Sequence, residues 1–142
     1  MTKKEQILQK IYEILESVAM PQKAVLFRNK SFDYEPENEQ KVIVLRDGKT
    51  EVIDTVLSPR IDTIEQTINL ELYVQTESEE KDNTKLDAFE DLVRKTLIAN
   101  FDLQGFVTTY SLTQSNFEVL TSENGDDYKS VDFDVVVVFD DV

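Results

Sequence analysis

Ile68-Asn69-Leu70-Glu71-Leu72-Tyr73-Val74 is the stretch that decides the fold. Ile68, Leu70, Leu72 and Val74 alternate with Asn69, Glu71, Tyr73 and Gln75. A period of two places the apolar set on one side of a β-strand and the polar set on the other. The strand predicted around it runs from Arg60 to Thr76, with one buried face. Such a strand needs partners along its edges and a second layer over its apolar side.

On the N-terminal side, Lys41-Val42-Ile43-Val44-Leu45-Arg46 reads as a strand. Asp47-Gly48 predicts a hairpin turn, with Glu51 to Leu57 returning and Pro59 breaking the run. Ala24 to Arg28 is a short strand, and the polar segment Asn29 to Gln40, with Pro36, a loop. On the C-terminal side, Val131, Phe133, Val135, Val137 and Phe139 mark one face of a strand from Ser130 to Phe139. Its second half is apolar on both faces, which places it mid-sheet. Phe106 to Leu120 reads as a further strand, bulged, before a turn at Ser122 to Asp127.

The covering layer comes from two amphipathic helices. Ile7, Leu8, Ile11, Ile14, Leu15 and Val18 recur at three- and four-residue spacing over residues 3–19. Thr2 and Glu5 form a capping box, and Pro21 acts as a stop signal. Leu86, Phe89, Leu92, Val93 and Leu97 stripe a second helix over about 84–100, capped by Asn83 or Thr84 after a charged loop, Glu77 to Asn83. The order predicts one α+β domain over 1–142: a mainly antiparallel β-sheet with two helices packed on one face.

The composition removes most catalytic chemistry. Among 142 residues there is no His and no Cys, and the three glycines, Gly48, Gly105 and Gly125, stand far apart. Nucleophile–histidine pairs, the usual zinc ligands and glycine-rich phosphate loops are therefore absent from the sequence. No apolar run follows Met1-Thr2-Lys3-Lys4, so no signal peptide is expected, and none approaches the ~18 residues of a membrane-spanning helix. The net charge of −14 argues against wrapping a nucleic-acid backbone. The charge is uneven: residues 1–30 carry a net of +3 and residues 31–142 a net of −17.

Three acidic groupings carry residue types that chemistry could use. Glu77, Glu79, Glu80 and Asp82 are hard oxygen ligands of the kind Mg²⁺ and Ca²⁺ use, but no EF-hand spacing is present and a solvated connection is the ordinary reading. Asp132 and Asp134 share a strand face, and acid/base work by such a pair requires a cleft and strongly shifted pKa values. Gly125-Asp126-Asp127 is a turn. Phe32 and Tyr34, aromatic in a polar loop, are candidate partner anchors. Arg60 reads as structural. The expectation is no catalytic residue, no cofactor and no metal.

The order of elements resembles the tail terminator (tail completion, minor tail) family of long-tailed bacteriophages and prophages. The residues carrying the resemblance are the helix ending near Val18, the strand Val42-Ile43-Val44-Leu45, and Arg60 leading into Ile68 to Val74. The charged loop, the helix Leu86-Asp87-Ala88-Phe89-Glu90-Asp91-Leu92-Val93 and the long last strand complete it. The resemblance implies a ring, usually a hexamer, that caps the tail tube, ends its growth and gives the head a docking surface. The implied partners are further copies of the chain, the tail tube protein and a head-completion or connector protein. DNA passes through the lumen without specific binding, no membrane is involved, and the protein sits in the virion tail.

A ring needs two different complementary patches on each subunit. The charge asymmetry suggests a basic edge from Lys3, Lys4, Lys10, Arg28 and Lys30 facing acids at Glu77, Glu79, Glu80, Asp82, Asp126 and Asp127 of a neighbour. Phe32 and Tyr34 would add apolar contact. The alternative is an acidic monomeric binding or inhibitor protein that mimics nucleic acid; a carboxylate-based hydrolase is the third.

Overall fold

The computed structural model describes residues 2–29, 41–75, 79–100, 107–121 and 127–141; for 79–83, 119–121 and 127 it describes the backbone only. The elements are α1 (Lys3–Gln22), β1 (Val25–Arg28), β2 (Lys41–Leu57), β3 (Arg60–Gln75), α2 (Glu79–Ala99), β4 (Thr109–Leu112), β5 (Asn116–Thr121) and β6 (Asp127–Asp141). The strands form one six-stranded sheet in the order β1-β2-β3-β6-β4, with β5 also pairing β6. Every pairing is antiparallel except β1 with β2. The fold is α+β.

The two-residue period works as expected on β3. Leu70 lies opposite Leu45 and Phe133, and Leu72 opposite Ile43 and Val131. Residues directly opposite share a face, so these rows form one apolar surface. α1 covers it with Ile7, Leu8, Ile11, Leu15 and Val18, and α2 with Leu86, Phe89, Val93 and Leu97, all in one buried cluster. β6 sits between β3 and β4/β5, mid-sheet, as its doubly apolar second half requires.

α1 begins with the Thr2 half of its capping box; the Glu5 carboxylate, the other half, turns instead to Arg28. Thr2 is extended, and its hydroxyl accepts the Glu5 N–H at 3.1 Å. Pro21 does not stop the helix; it lies inside the last turn, where a missing N–H forfeits a single bond. The stop is Lys23, in the left-handed region at φ 55°, whose N–H reaches the carbonyls of Ala19 and Met20.

The structure also overturns the expected hairpin. β2 does not turn at Asp47-Gly48; it continues for 17 residues to Leu57, and the turn is Ser58-Pro59, joined by a cis peptide bond. At Gly48 the register of β2 against β3 shifts, between Asp47 and Thr50. A Cβ there would stand 2.0 Å from the carbonyl oxygen of Thr67. Glycine serves this position by letting two backbones approach within a bulge, not by making a turn.

Two further expectations change. The segment 79–83, read as loop, belongs to α2, so Asn83 and Thr84 are internal to the helix instead of capping it. The strand expected over 106–120 is two strands, β4 and β5, separated at 113–115. β3 is also not buried on one face alone. Tyr73 joins Val42, Val44 and Tyr128 in a second, smaller buried cluster on the face away from the helices, with Phe27 against it.

Candidate interaction surface

The face opposite the helices carries the charge that the alternation directs there. Arg46 follows Val42 and Val44 on that face of β2, and register brings it beside Glu71 of β3. Its Nε and Nη2 donate to the two Glu71 carboxylate oxygens at 2.8 and 3.2 Å. The Tyr73 hydroxyl donates to the same carboxylate. Burial and the Glu71 contact push the Tyr73 phenol well above its ordinary range. The bond to Glu71 outweighs burial and raises Arg46. Glu71 stands opposite Asp132, so Arg46 also offsets a like-charge pairing across β3 and β6.

Asp132 and Asp134 do share a strand face, and the structure gives them a common partner. The Asn69 amide donates to Asp134 at 3.1 Å and reaches Asp132 at 3.5 Å. Among the described residues, no group of three or more His, Cys, Asp or Glu side chains is placed to hold a metal. The arrangement is a hydrogen-bonded strip across the sheet.

A second constellation gathers at the start of α1. Arg28, the last residue of β1, meets Glu5 of α1 at 2.7 Å and Asp47 of β2 at 3.0 Å. Asn29 at φ 57° turns the chain so that its side-chain oxygen accepts the Asp47 N–H at 2.8 Å. The Arg28 hydrogen bond holds the Glu5 carboxyl below its ordinary value. Burial works to raise Asp47, but its bonds to Arg28 and Asn29 outweigh that and hold it low. Lys3 donates to the Asp140 carbonyl at 2.8 Å and lies 5.7 Å from the Phe139 ring centroid.

The cations assigned to a basic edge thus divide. Lys3, Lys4 and Arg28 lie at one end of α1, interleaved with Glu5, Asp47 and the β6 terminus, and Arg28 is engaged within its own chain. Lys30, Phe32, Tyr34, Glu77 and Asp126 lie outside the described residues. Glu79 and Glu80 open α2, Asp82 lies within its first turns, and Asp127 opens β6, each described by backbone alone.

Two features escaped the sequence. Arg94 of α2 pairs with Glu90 at 3.0 Å, donates to the Thr113 carbonyl and the Ser115 hydroxyl, and lies 4.1 Å from the Phe133 ring centroid. That cation pins the helix to the interruption between β4 and β5. The only signal was the Glu90–Arg94 spacing of four. The second is the distal half of β2. From Asp47 to Leu57 it is almost wholly exposed, and Val52, Ile53, Val56 and Leu57 are 51–79 % accessible.

No protein-family model matches this chain, and no curated protein matches it either.

Proposed function

We propose that this chain is a structural subunit of a long phage or prophage tail: a tail terminator that closes into a ring of six copies, caps the tail tube, stops its elongation and gives the head its docking surface. The observation that supports this reading is the order of elements. α1, the β2–β3 hairpin, α2 and the long β6 fold into a sheet with helices against it, and a sheet with flanking helices is the fold the resemblance implies. The work of such a subunit is contact, without catalysis, metal or cofactor. Its partners are further copies, the tube protein and a head-completion or connector protein, in the virion tail after assembly in the host cytoplasm. A net charge of −14 suits a lumen through which DNA slides, since like charge keeps the backbone from adhering.

The test is to add the purified protein to tube protein under polymerising conditions and measure tube length, with mass in solution measured alongside. The reading expects masses at multiples of 16.4 kDa and shortened tubes bearing a ring at one end. A chain that stays monomeric at every concentration and leaves tube length unchanged overturns it and favours the acidic binding module.

A further inference from the structure

We infer that the outer edge of β2, from Gly48 to Leu57, pairs with the β4–β5 edge of a second copy, so that the sheet runs on from one subunit into the next. The inference rests on the ring reading and names the surface that would build the ring.

Both edges are open among the described strands. β1 lies against β2 only from Val42 to Leu45. Asn29 then takes the Leu45 carbonyl and the Asp47 N–H, and from Gly48 onward β2 has β3 on one side and no described strand on the other. β4 and β5 likewise have β6 on one side alone. An unpaired row of N–H and C=O groups is a template for another strand. Each edge also shows large apolar side chains to water: Val52, Ile53, Val56 and Leu57 on one, Phe117, 56 % accessible, on the other.

Charge selects a second copy as the occupant. Two chains that each carry −14 repel, so they meet where the charge is least. Residues 48–57 hold Lys49, Glu51 and Asp54, a net of −1. Residues 107–121 hold only Glu118, also −1. The two open edges are thus close to neutral.

Length and direction agree. The ten residues from Gly48 to Leu57 extend about 33 Å at ~3.3 Å per residue. β4 and β5 together lie along β6 from Asp127 to Val138, about 40 Å by the same rise. β2 is antiparallel to β3, β3 to β6, and β6 to both β4 and β5. β2 therefore runs opposite to β4 and β5. Copies related by rotation about a ring axis keep their orientation, so the two edges meet as an antiparallel pair with the helices on one side throughout. The open part of β2 lies level with β6 beyond Val135, whereas β5 lies beside the start of β6. Pairing them steps each copy along its neighbour, and a sheet that closes on itself needs such a stagger. Partial cover of Val52, Ile53, Val56 and Leu57 adds apolar area to the paired strand edge, toward the ~800 Å² per partner of a stable interface.

The absence of cysteine makes the test clean. Val52→Cys, Ile53→Cys or Val56→Cys is combined with Phe117→Cys and oxidised, and the single variants are run beside them. The inference expects a covalent ladder of dimer, trimer and higher species from at least one double variant and none from the singles. Ile53→Lys should weaken assembly at least tenfold, while the melting temperature measured at dilutions where both proteins are monomeric stays unchanged. Dimers from a β2 cysteine alone would mean that β2 meets β2, and linkage only to added tube protein would mean that the edge binds the tube; either overturns the inference. Multimeric wild type with no linkage in any variant, and no effect of Ile53→Lys, removes the edge pairing but leaves the ring reading standing. Wild type that is monomeric in solution and forms no ring on isolated tubes removes both.

Discussion

The two halves of β2 share a strand, a partner and a hydrogen-bonding pattern, yet differ in almost everything else. From Val42 to Arg46 every side chain is buried; from Asp47 to Leu57 nearly every one is exposed. Both halves pair with β3. The difference lies above and below the sheet, where Ile43 and Leu45 meet the helices and Val42 and Val44 meet Tyr73 and Tyr128. Pairing satisfies backbone groups, but burial of side chains is what stabilises a strand, at ~25 cal/mol per Å² of apolar surface. The proximal half is part of a core, and the distal half is an arm held out from it. Gly48 stands at the junction.

The comparison can be broken in five places. The largest loss is expected from Leu72→Ala, opposite Ile43 in the proximal half. A fully buried leucine truncated to alanine costs ~2–5 kcal/mol, read from denaturant unfolding. Next comes Gly48→Ala. The added Cβ meets a backbone carbonyl that cannot rotate away, so the bulge must reopen at about 3 kcal/mol, within the range for overpacking. A melt indistinguishable from wild type would mean that the two backbones are not held together there.

Arg46→Met comes third, at about 2 kcal/mol, below the 3–5 of a fully buried pair because Glu71 keeps some water. Glu71→Gln in the same chain should restore part of the loss, since it removes the stranded charge opposite Asp132. Arg28→Met should cost less than any of these, because its partners are substantially exposed. Its signature is pH dependence. Glu5 and Asp47 have lowered folded values, so they contribute stability above their ordinary values of 4.5 and 3.8 and lose it as pH falls through the folded ones. The gap in melting temperature between wild type and variant should be full at pH 7 and close below about pH 4. The smallest effect is expected from Val56→Ala in the arm, within ~0.5 kcal/mol. A loss of 2 kcal/mol there would erase the distinction between the halves.

What was legible in the sequence follows the same division. Core-facing periodicity found α1, β3, α2 and β6, and so the α+β class, because burial forces the repeat of two or 3.6 directly onto the residue order. The hairpin was misplaced for the opposite reason. Asp47-Gly48 is a turn signal when local geometry decides, but here Thr67, nineteen positions away, sets the demand for glycine. Glu79 and Glu80 read as loop because an exposed first turn carries no apolar stripe. Among the candidate surface residues, type was legible and partnership was not: Arg28 looked like a free cation until the chain brought Glu5 and Asp47 to it. Arg46, Glu71 and Asn69 were visible only as the polar half of an alternation, since register is fixed by pairing across the sheet.

β6, among the last residues in order, lies inside the sheet, and its pairing with β3 joins Gln75 to Tyr128 and Asp62 to Asp141. The β2–β3 hairpin is local and can form early, but the apolar surface of β3 stays half covered until β6 docks. Pairings between distant segments form slowly, because the intervening chain must be closed first. During synthesis the nascent chain therefore carries α1, the hairpin and α2 without a finished core, and it becomes protease-resistant only once β6 has left the ribosome.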